Sequence, residues 1–388
     1  MVLLCVPVLA EWISPGRVSL ASVETSPILF HALVTVPMMA GGLLLVLCLP
    51  KLLRINLLVL ISLWLVVEGG ALLVEKPEPV TEGDPVSLVK PDYYREHPVI
   101  GYELVPDNKA LHVSRFEGRV EFEVEYEIDS LGRRITPVED PARRTRFALF
   151  LVDSNTYGEG LRQDQTLAYH FGQMAADYWP YNYGLHGYGP SQALDVVNSR
   201  DLGQEVTQRN GSVFYYFIPD HMARVVGAST VAPVWGRRFS YYVLNDAGQP
   251  ERHGDFTHGR PFVTLAYALS RQSPLLRRLG TRLPTDYSDD DFRLAAALFA
   301  AIRARVGTQL HLERFQVVFP PVFDDQQARV CQRLIAALEA ADIDHLDLMS
   351  LYDANERRYR VADNNYHQSA QATPLVAAAM AASLGITQ

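Results

Sequence analysis

Cysteine is scarce in this chain. Three residues among 388 cannot build a disulfide framework. Cys5 and Cys48 lie in apolar stretches and Cys331 in an amphipathic pattern, so redox and structural-zinc roles are excluded and no metal site is expected. Basic charge is also short, with 35 basic residues against 44 acidic ones and a formal charge of -9. Nucleic-acid binders usually present a basic face, so nucleic acid is not an expected partner. No internal repeat is visible. The glycines of residues 184 to 189 lack the Gly-x-Gly-x-x-Gly spacing and no Walker lysine follows them, so a nucleotide site is excluded and no cofactor is expected.

Hydrophobic residues make up 48% of the chain and charged residues 20%, enough for two ordinary domains with buried cores. A mean hydropathy of -0.00 hides an uneven distribution. From Ile28 to Leu49 there is no formal charge, over about the length a helix needs to cross a bilayer. After the connector Lys51-Leu52-Leu53-Arg54, a second apolar run extends from Ile55 to Val74. The pattern predicts a transmembrane helical hairpin, with helices about 28–49 and 55–74 in an anchor spanning residues 1–75. Lys51 and Arg54 place its tight turn in the cytoplasm, so everything after residue 75 is expected outside, on a multi-pass cell-membrane protein with an extracytoplasmic domain. Val2 to Ile13 is too short to span and lacks the basic start of a signal peptide. Glu68 reads as a carboxylate snorkelling towards the outer surface.

Residues 76–92 are rich in proline and charge and form the expected linker. In the small β section of residues 93–145, Val120, Phe122, Val124, Tyr126 and Ile128 alternate with Glu121, Glu123, Glu125 and Glu127. That period of two predicts a strand with one wet face of glutamates. From residue 146 to 388 buried strands alternate with helices, which predicts an α/β layer on a mainly parallel sheet. Strands are expected at Phe147–Val152, Val213–Ile218 and Phe315–Phe319. Helices are expected at Thr166–Tyr178, Asp290–Val306, Asp325–Ala341 and Thr373–Leu384. Residues 228–285, with a helical stretch near Leu265–Leu279, read as an insertion that forms either a lid or a partner surface.

The chemistry gathers where the strand Phe147–Val152 runs into Asp153-Ser154-Asn155-Thr156-Tyr157-Gly158-Glu159-Gly160. The carboxyl end of a central strand is where open α/β sheets present ligands and nucleophiles. Taken locally, the same residues also fit an ordinary Asp-Ser turn that caps a helix.

With the rest of the chain in view, this segment resembles the first block of the SGNH/GDSL hydrolase family, a strand followed by Gly-Asp-Ser and a tail like that of Thr156 to Gly160. Tyr181-Asn182-Tyr183-Gly184-Leu185-His186-Gly187-Tyr188-Gly189 is similar to the family's second block, and His367 has the placing of its C-terminal histidine. The resemblance runs over roughly residues 95 to 388 and implies a three-layer, flavodoxin-like sandwich. It implies Ser154 as nucleophile and His367 as base, oriented by Asn364 or Asp363. The N–H groups of Ser154 and Gly187 are then the oxyanion donors, with Asn155, Asp220 and His221 as further oxyanion or substrate-binding residues. Three departures stand out. Val152 replaces the family's glycine, so the elbow is expected to be strained or differently shaped. Asp220 replaces an asparagine donor, leaving a protonated Asp220, His221 or a water to serve. Asn364 replaces the usual acid, three residues before the histidine.

The resemblance and the predicted anchor together imply a membrane-tethered serine hydrolase that removes ester-linked acyl groups from a cell-surface glycan or lipid-linked saccharide. Two alternatives stay open. One is a degenerate module that binds glycan or scaffolds a surface assembly; the other is an O-acyltransferase working with a partner membrane protein.

Overall fold

The structure, a computed structural model, describes residues 50–74, 86–90 and 93–386. The chain divides into two compact units, one comprising Met1–Pro77 with Arg271–Thr281 and the other Glu78–Ser270 with Arg282–Gln388. The expected helix at 28–49 and the run 2–13 lie outside the described residues.

In the first unit a helix spans Lys51–Val74 and packs on a short helix, Pro274–Arg278. The expected second crossing is corrected here, because no helix of the described residues is long and apolar enough to cross a membrane. Between Arg54 and Glu68 only Ile55–Val67 is free of charge. Thirteen helical residues rise roughly 20 Å, short of a hydrocarbon core of about 30 Å. Glu68 is not a free snorkelling carboxylate either. It accepts hydrogen bonds from Ser273 Oγ and from the N–H of Leu275, at the start of the short helix.

The second unit is built on five parallel strands: β6 (Arg146–Val152), β7 (Tyr178–Gly184), β8 (Asn210–Tyr216), β11 (His311–Phe319) and β12 (Asp344–Asp347). Their spatial order is β12-β11-β8-β6-β7. Numbered by appearance this is the doubly wound order 2-1-3-4-5, which reverses beside β6. Alternate side chains of β6 serve opposite faces. Phe147, Leu149 and Leu151 join a core with the helices Pro190–Ser199, Asp289–Gln309 and Asp325–Ala340, whereas Ala148 and Phe150 join one with Leu167–Met174 and Thr373–Ser383. Three layers result, and strands buried on both faces read as the near-continuous apolar runs seen in the sequence.

The helix expected to reach Tyr178 ends at Met174, and Tyr178 instead opens β7. Pro180 is tolerated there because β7 is an edge strand.

The small β section forms an antiparallel sheet of β4 (Lys109–Phe116) and β5 (Arg119–Glu127) with β1 (Val86–Lys90), a strand inside the stretch expected as linker, beside a hairpin of β2 (Tyr94–His97) and β3 (Gly101–Leu104). The insertion contains a hairpin, β9 (Ser240–Leu244) with β10 (Pro250–Asp255), and a helix, Pro261–Gln272. A last hairpin, β13 (Arg360–Ala362) with β14 (Asn365–Gln368), precedes the C-terminal helix.

Candidate active site

Ser154 stands where β6 ends, next to the reversal of strand order, and opens a single helical turn. Val152 enters this elbow at φ +124°, a backbone region that suits glycine and strains a β-branched residue by about 1–3 kcal/mol. The strained elbow is therefore the outcome at Val152. Asp153 caps the turn, its Oδ1 accepting the N–H groups of Asn155 and Thr156 at 3.0 Å each.

Asp153 and His221 are both fully buried, with Oδ2 and Nε2 3.3 Å apart. Burial pushes the His221 ring down to about 4, so it is neutral near pH 7. Its Nδ1 accepts the N–H of Ile218, which leaves the ring proton on Nε2 facing Asp153. Burial works against an ionised Asp153, but the His221 contact and the backbone N–H bonds outweigh it and bring its carboxyl to about 2. His221 is thus a buried support beneath the elbow and not a donor into the site, which corrects the oxyanion role expected of it.

His367 lies on β14, with Nε2 2.6 Å from Ser154 Oγ. On the far side of the ring Nδ1 is 2.6 Å from Asn365 Oδ1, which also accepts the N–H of His367 at 3.1 Å. An amide oxygen only accepts, so the proton sits on Nδ1 and the Nε2 lone pair faces the serine hydroxyl. This is the tautomer that a base for Ser154 requires. The residue orienting His367 is therefore Asn365 and neither of those expected. Asp363 is exposed and ion-paired with Arg357, and Asn364 lies exposed at the tip of the hairpin. Asn155 ties the hairpin to the elbow, its Oδ1 accepting the N–H of Gln368 at 3.2 Å.

A third group at the ring was not foreseen. Glu159 Oε2 lies 3.4 Å from His367 Nε2 and 2.7 Å from His186 Nδ1. Burial alone would raise this carboxyl, but the His367 and His186 rings more than offset it and hold it well below the usual carboxylate range.

Gly187 lines the same cavity at φ +78°. A Cβ there would come within 2.6 Å of Tyr102 Oη and 2.8 Å of Trp235, so only glycine fits. Among the described residues the N–H groups of Ser154 and Gly187 are not hydrogen-bonded to another part of the chain. Asp220 also lines the cavity, exposed at the start of the helix Asp220–Val225.

The cavity measures about 920 Å³. Aromatic side chains Phe323, Tyr352, Tyr359 and Tyr366 share its wall with Asn355 and Gln327. The small β section contributes Ser114 and Glu121, which are hydrogen-bonded at 3.0 Å. Glu121 belongs here and not to the wet face because the β4–β5 register shifts beside it, as at a bulge, and turns its side chain inward. No described residue between 228 and 285 lines the cavity; the insertion reaches its border at Trp235, which packs against Gly187.

No protein-family profile matches the chain, and no curated protein matches it. Among solved structures it is similar to the inhibitor-bound aryl esterase of M. smegmatis, at 11% identity over 62% of this chain and 100% of that one, with a TM-score of 0.35. A putative lipolytic protein of the G-D-S-L family from Desulfitobacterium hafniense DCB-2 aligns at 11% identity over 61% and 98%, with a TM-score of 0.32. A carbohydrate esterase, described as having an active site with divergent catalytic and non-catalytic binding functions, aligns at 10% identity over 81% and 95%, with a TM-score of 0.33. These neighbours are esterases or lipolytic proteins.

Proposed function

We propose that this chain is an SGNH-type serine ester hydrolase in which Ser154 is the nucleophile and His367 the general base. The observation that carries the reading is the 2.6 Å contact of Ser154 Oγ with His367 Nε2, with Nδ1 of the same ring held by Asn365. In this scheme the Ser154 hydroxyl proton passes to Nε2 as Oγ attacks the ester carbonyl. The N–H groups of Ser154 and Gly187 receive the developing oxyanion. The imidazolium then protonates the departing alkoxide, leaving an acyl-Ser154. Water gives its proton to Nε2, adds to the acyl carbon and releases the carboxylic acid with Ser154 restored.

The substrate we assign is an acylated saccharide. A large open cavity walled by tyrosine and phenylalanine faces and by side-chain amides suits sugar rings, which offer apolar C–H faces and hydroxyl edges. The uncharged run 28–49 supports attachment of the full chain to a membrane.

Turnover of an aryl acetate and of an acetylated oligosaccharide by the full chain, compared with Ser154→Ala, tests the reading. Loss of about 10⁴-fold in kcat is expected. Turnover by Ser154→Ala equal to that of the unaltered chain would falsify it. Recovery of the full chain in the soluble fraction of lysed cells would remove the tether from the proposal.

A further inference from the structure

We propose that Glu159 is the positioning carboxylate of this site, carrying the negative charge that supports His367 when it is protonated and tying the base to the loop that bears Gly187. The inference rests on the serine-hydrolase reading above. Asn365 fixes the ring's tautomer but is neutral, so it cannot offset the positive charge His367 gains as Ser154 attacks. Asp363, the acid expected from the sequence, is held at the surface by Arg357. Glu159 is the remaining carboxylate at the ring, 3.4 Å from Nε2, on the cavity side.

The groups around it fit a fixed anion. Glu159 is only 16% exposed, and burying a lone carboxylate is costly unless it is paired. His186 supplies the second partner at 2.7 Å and immediately precedes Gly187, so a single carboxylate links the base to the oxyanion loop. The turn that carries Glu159 is held from both sides. The Arg134 guanidinium, placed over the Tyr126 and Tyr157 rings, donates to the carbonyls of Tyr157, Gly158 and Leu161. The Tyr126 hydroxyl accepts the N–H of Gly160 at 2.9 Å. Besides His367 on β14 and His186 after β7, His112 on β4 acts on Glu159, and the carboxylate in turn acts on Tyr94, Tyr126 and Tyr157. Burial pushes His112 down to about 4, so it is neutral near pH 7 and leaves the Glu159 charge uncancelled.

The effect of removing the charge has a definite sign. A negative charge beside a ring favours its protonated form. Without it the step that creates the imidazolium slows, and the acid limb of the pH–rate profile moves to lower pH. A merely structural role would lower the rate and leave the limb where it was.

The test compares p-nitrophenyl acetate turnover and fluorophosphonate labelling by the full chain and by Glu159→Gln and Glu159→Asp across the neutral pH range. For Glu159→Gln we expect kcat to fall about tenfold to a hundredfold, the acid limb to move to lower pH, and KM and melting temperature to change little. Glu159→Asp keeps the charge one methylene farther away, so its loss and shift have the same direction and are smaller. It carries the test if the glutamine variant does not fold. Wild-type rates, or reduced rates with an unmoved acid limb, overturn the proposal. If the unaltered chain neither turns over ester nor labels at Ser154, the serine-hydrolase reading fails and this inference falls with it. If the unaltered chain does both and the variants match it, only the role of Glu159 is overturned.

Discussion

Two histidines flank Ser154, one beneath the elbow and one above it, and their surroundings assign them opposite duties. His221 has no exposed surface, sits 3.3 Å from a buried Asp153 and is pushed down to about 4 by burial. It holds the elbow and exchanges no proton near neutral pH. The side chain of His367 is 25% exposed, opens onto the cavity and meets Ser154 at 2.6 Å. The residue type is the same in both places. Solvent access and the partner on the second nitrogen decide which ring can cycle a proton.

Replacing each ring breaks the comparison most sharply. His367→Ala should lower kcat about 10³-fold or more while the melting temperature stays near that of the unaltered chain. His221→Ala should do the reverse. Leaving the Asp153 carboxylate buried without its ring costs on the order of 2 kcal/mol in denaturant unfolding, and turnover at low temperature falls far less than in His367→Ala. Equal catalytic losses in the two variants would erase the distinction.

The orienting partner offers a finer test. Asn365→Ala should cost about ten- to a hundredfold in kcat, whereas Asn364→Ala and Asp363→Ala should leave it nearly unchanged. A loss at Asn364 as large as that at Asn365 would return the orienting role to the residue first expected.

Acid stability reports on the buried pair. The folded state depresses both groups, His221 from 6.5 to about 4 and Asp153 from 3.8 to about 2. The His221 contribution is therefore complete above about pH 6.5 and is lost as pH falls towards 4. That of Asp153 is complete above about pH 4 and is lost as pH falls through 2. The His221 part amounts to roughly 3 kcal/mol. Unfolding free energies measured from neutral pH down to about pH 4 should show this loss, and His221→Gln should flatten it; parallel curves would contradict the assignment.

The smallest expected effect concerns the elbow itself. In Val152→Gly relief of the positive φ, worth about 1–3 kcal/mol, opposes the loss of a buried side chain of similar worth, so the melting temperature should move little. Val213→Gly, equally buried in the middle of β8, has no such relief and should lose several kcal/mol. Similar losses at the two positions would show that Val152 stores no strain.

What the sequence revealed follows from how local each signal is. Strands β6, β8 and β11 and four of the helices were visible because burial on two faces, or on one helical stripe, leaves a continuous mark. Strand β7 was hidden by Trp179, Pro180 and Asn182, which an edge position tolerates, and β12 by its charged Asp344-His345-Leu346-Asp347. Ser154 and His367 were found through family spacing. Asn365 was missed because that spacing pointed three residues back, whereas on β14 the residue two back shares the ring's face. Glu121 and Glu159 needed three-dimensional facts, a shift in strand register and the meeting of a turn with two histidines distant in sequence. At the N-terminal end, total hydropathy suggested a crossing, but the charges at Arg54 and Glu68 confine its uncharged part to 55–67.

The most direct test of the central claim is intact-mass and peptide mapping of the full chain after reaction with a fluorophosphonate. The account predicts a single adduct on Ser154, absent in Ser154→Ala and formed far more slowly in His367→Ala. Failure of the unaltered chain to form an adduct, or an adduct that persists in Ser154→Ala, would contradict it.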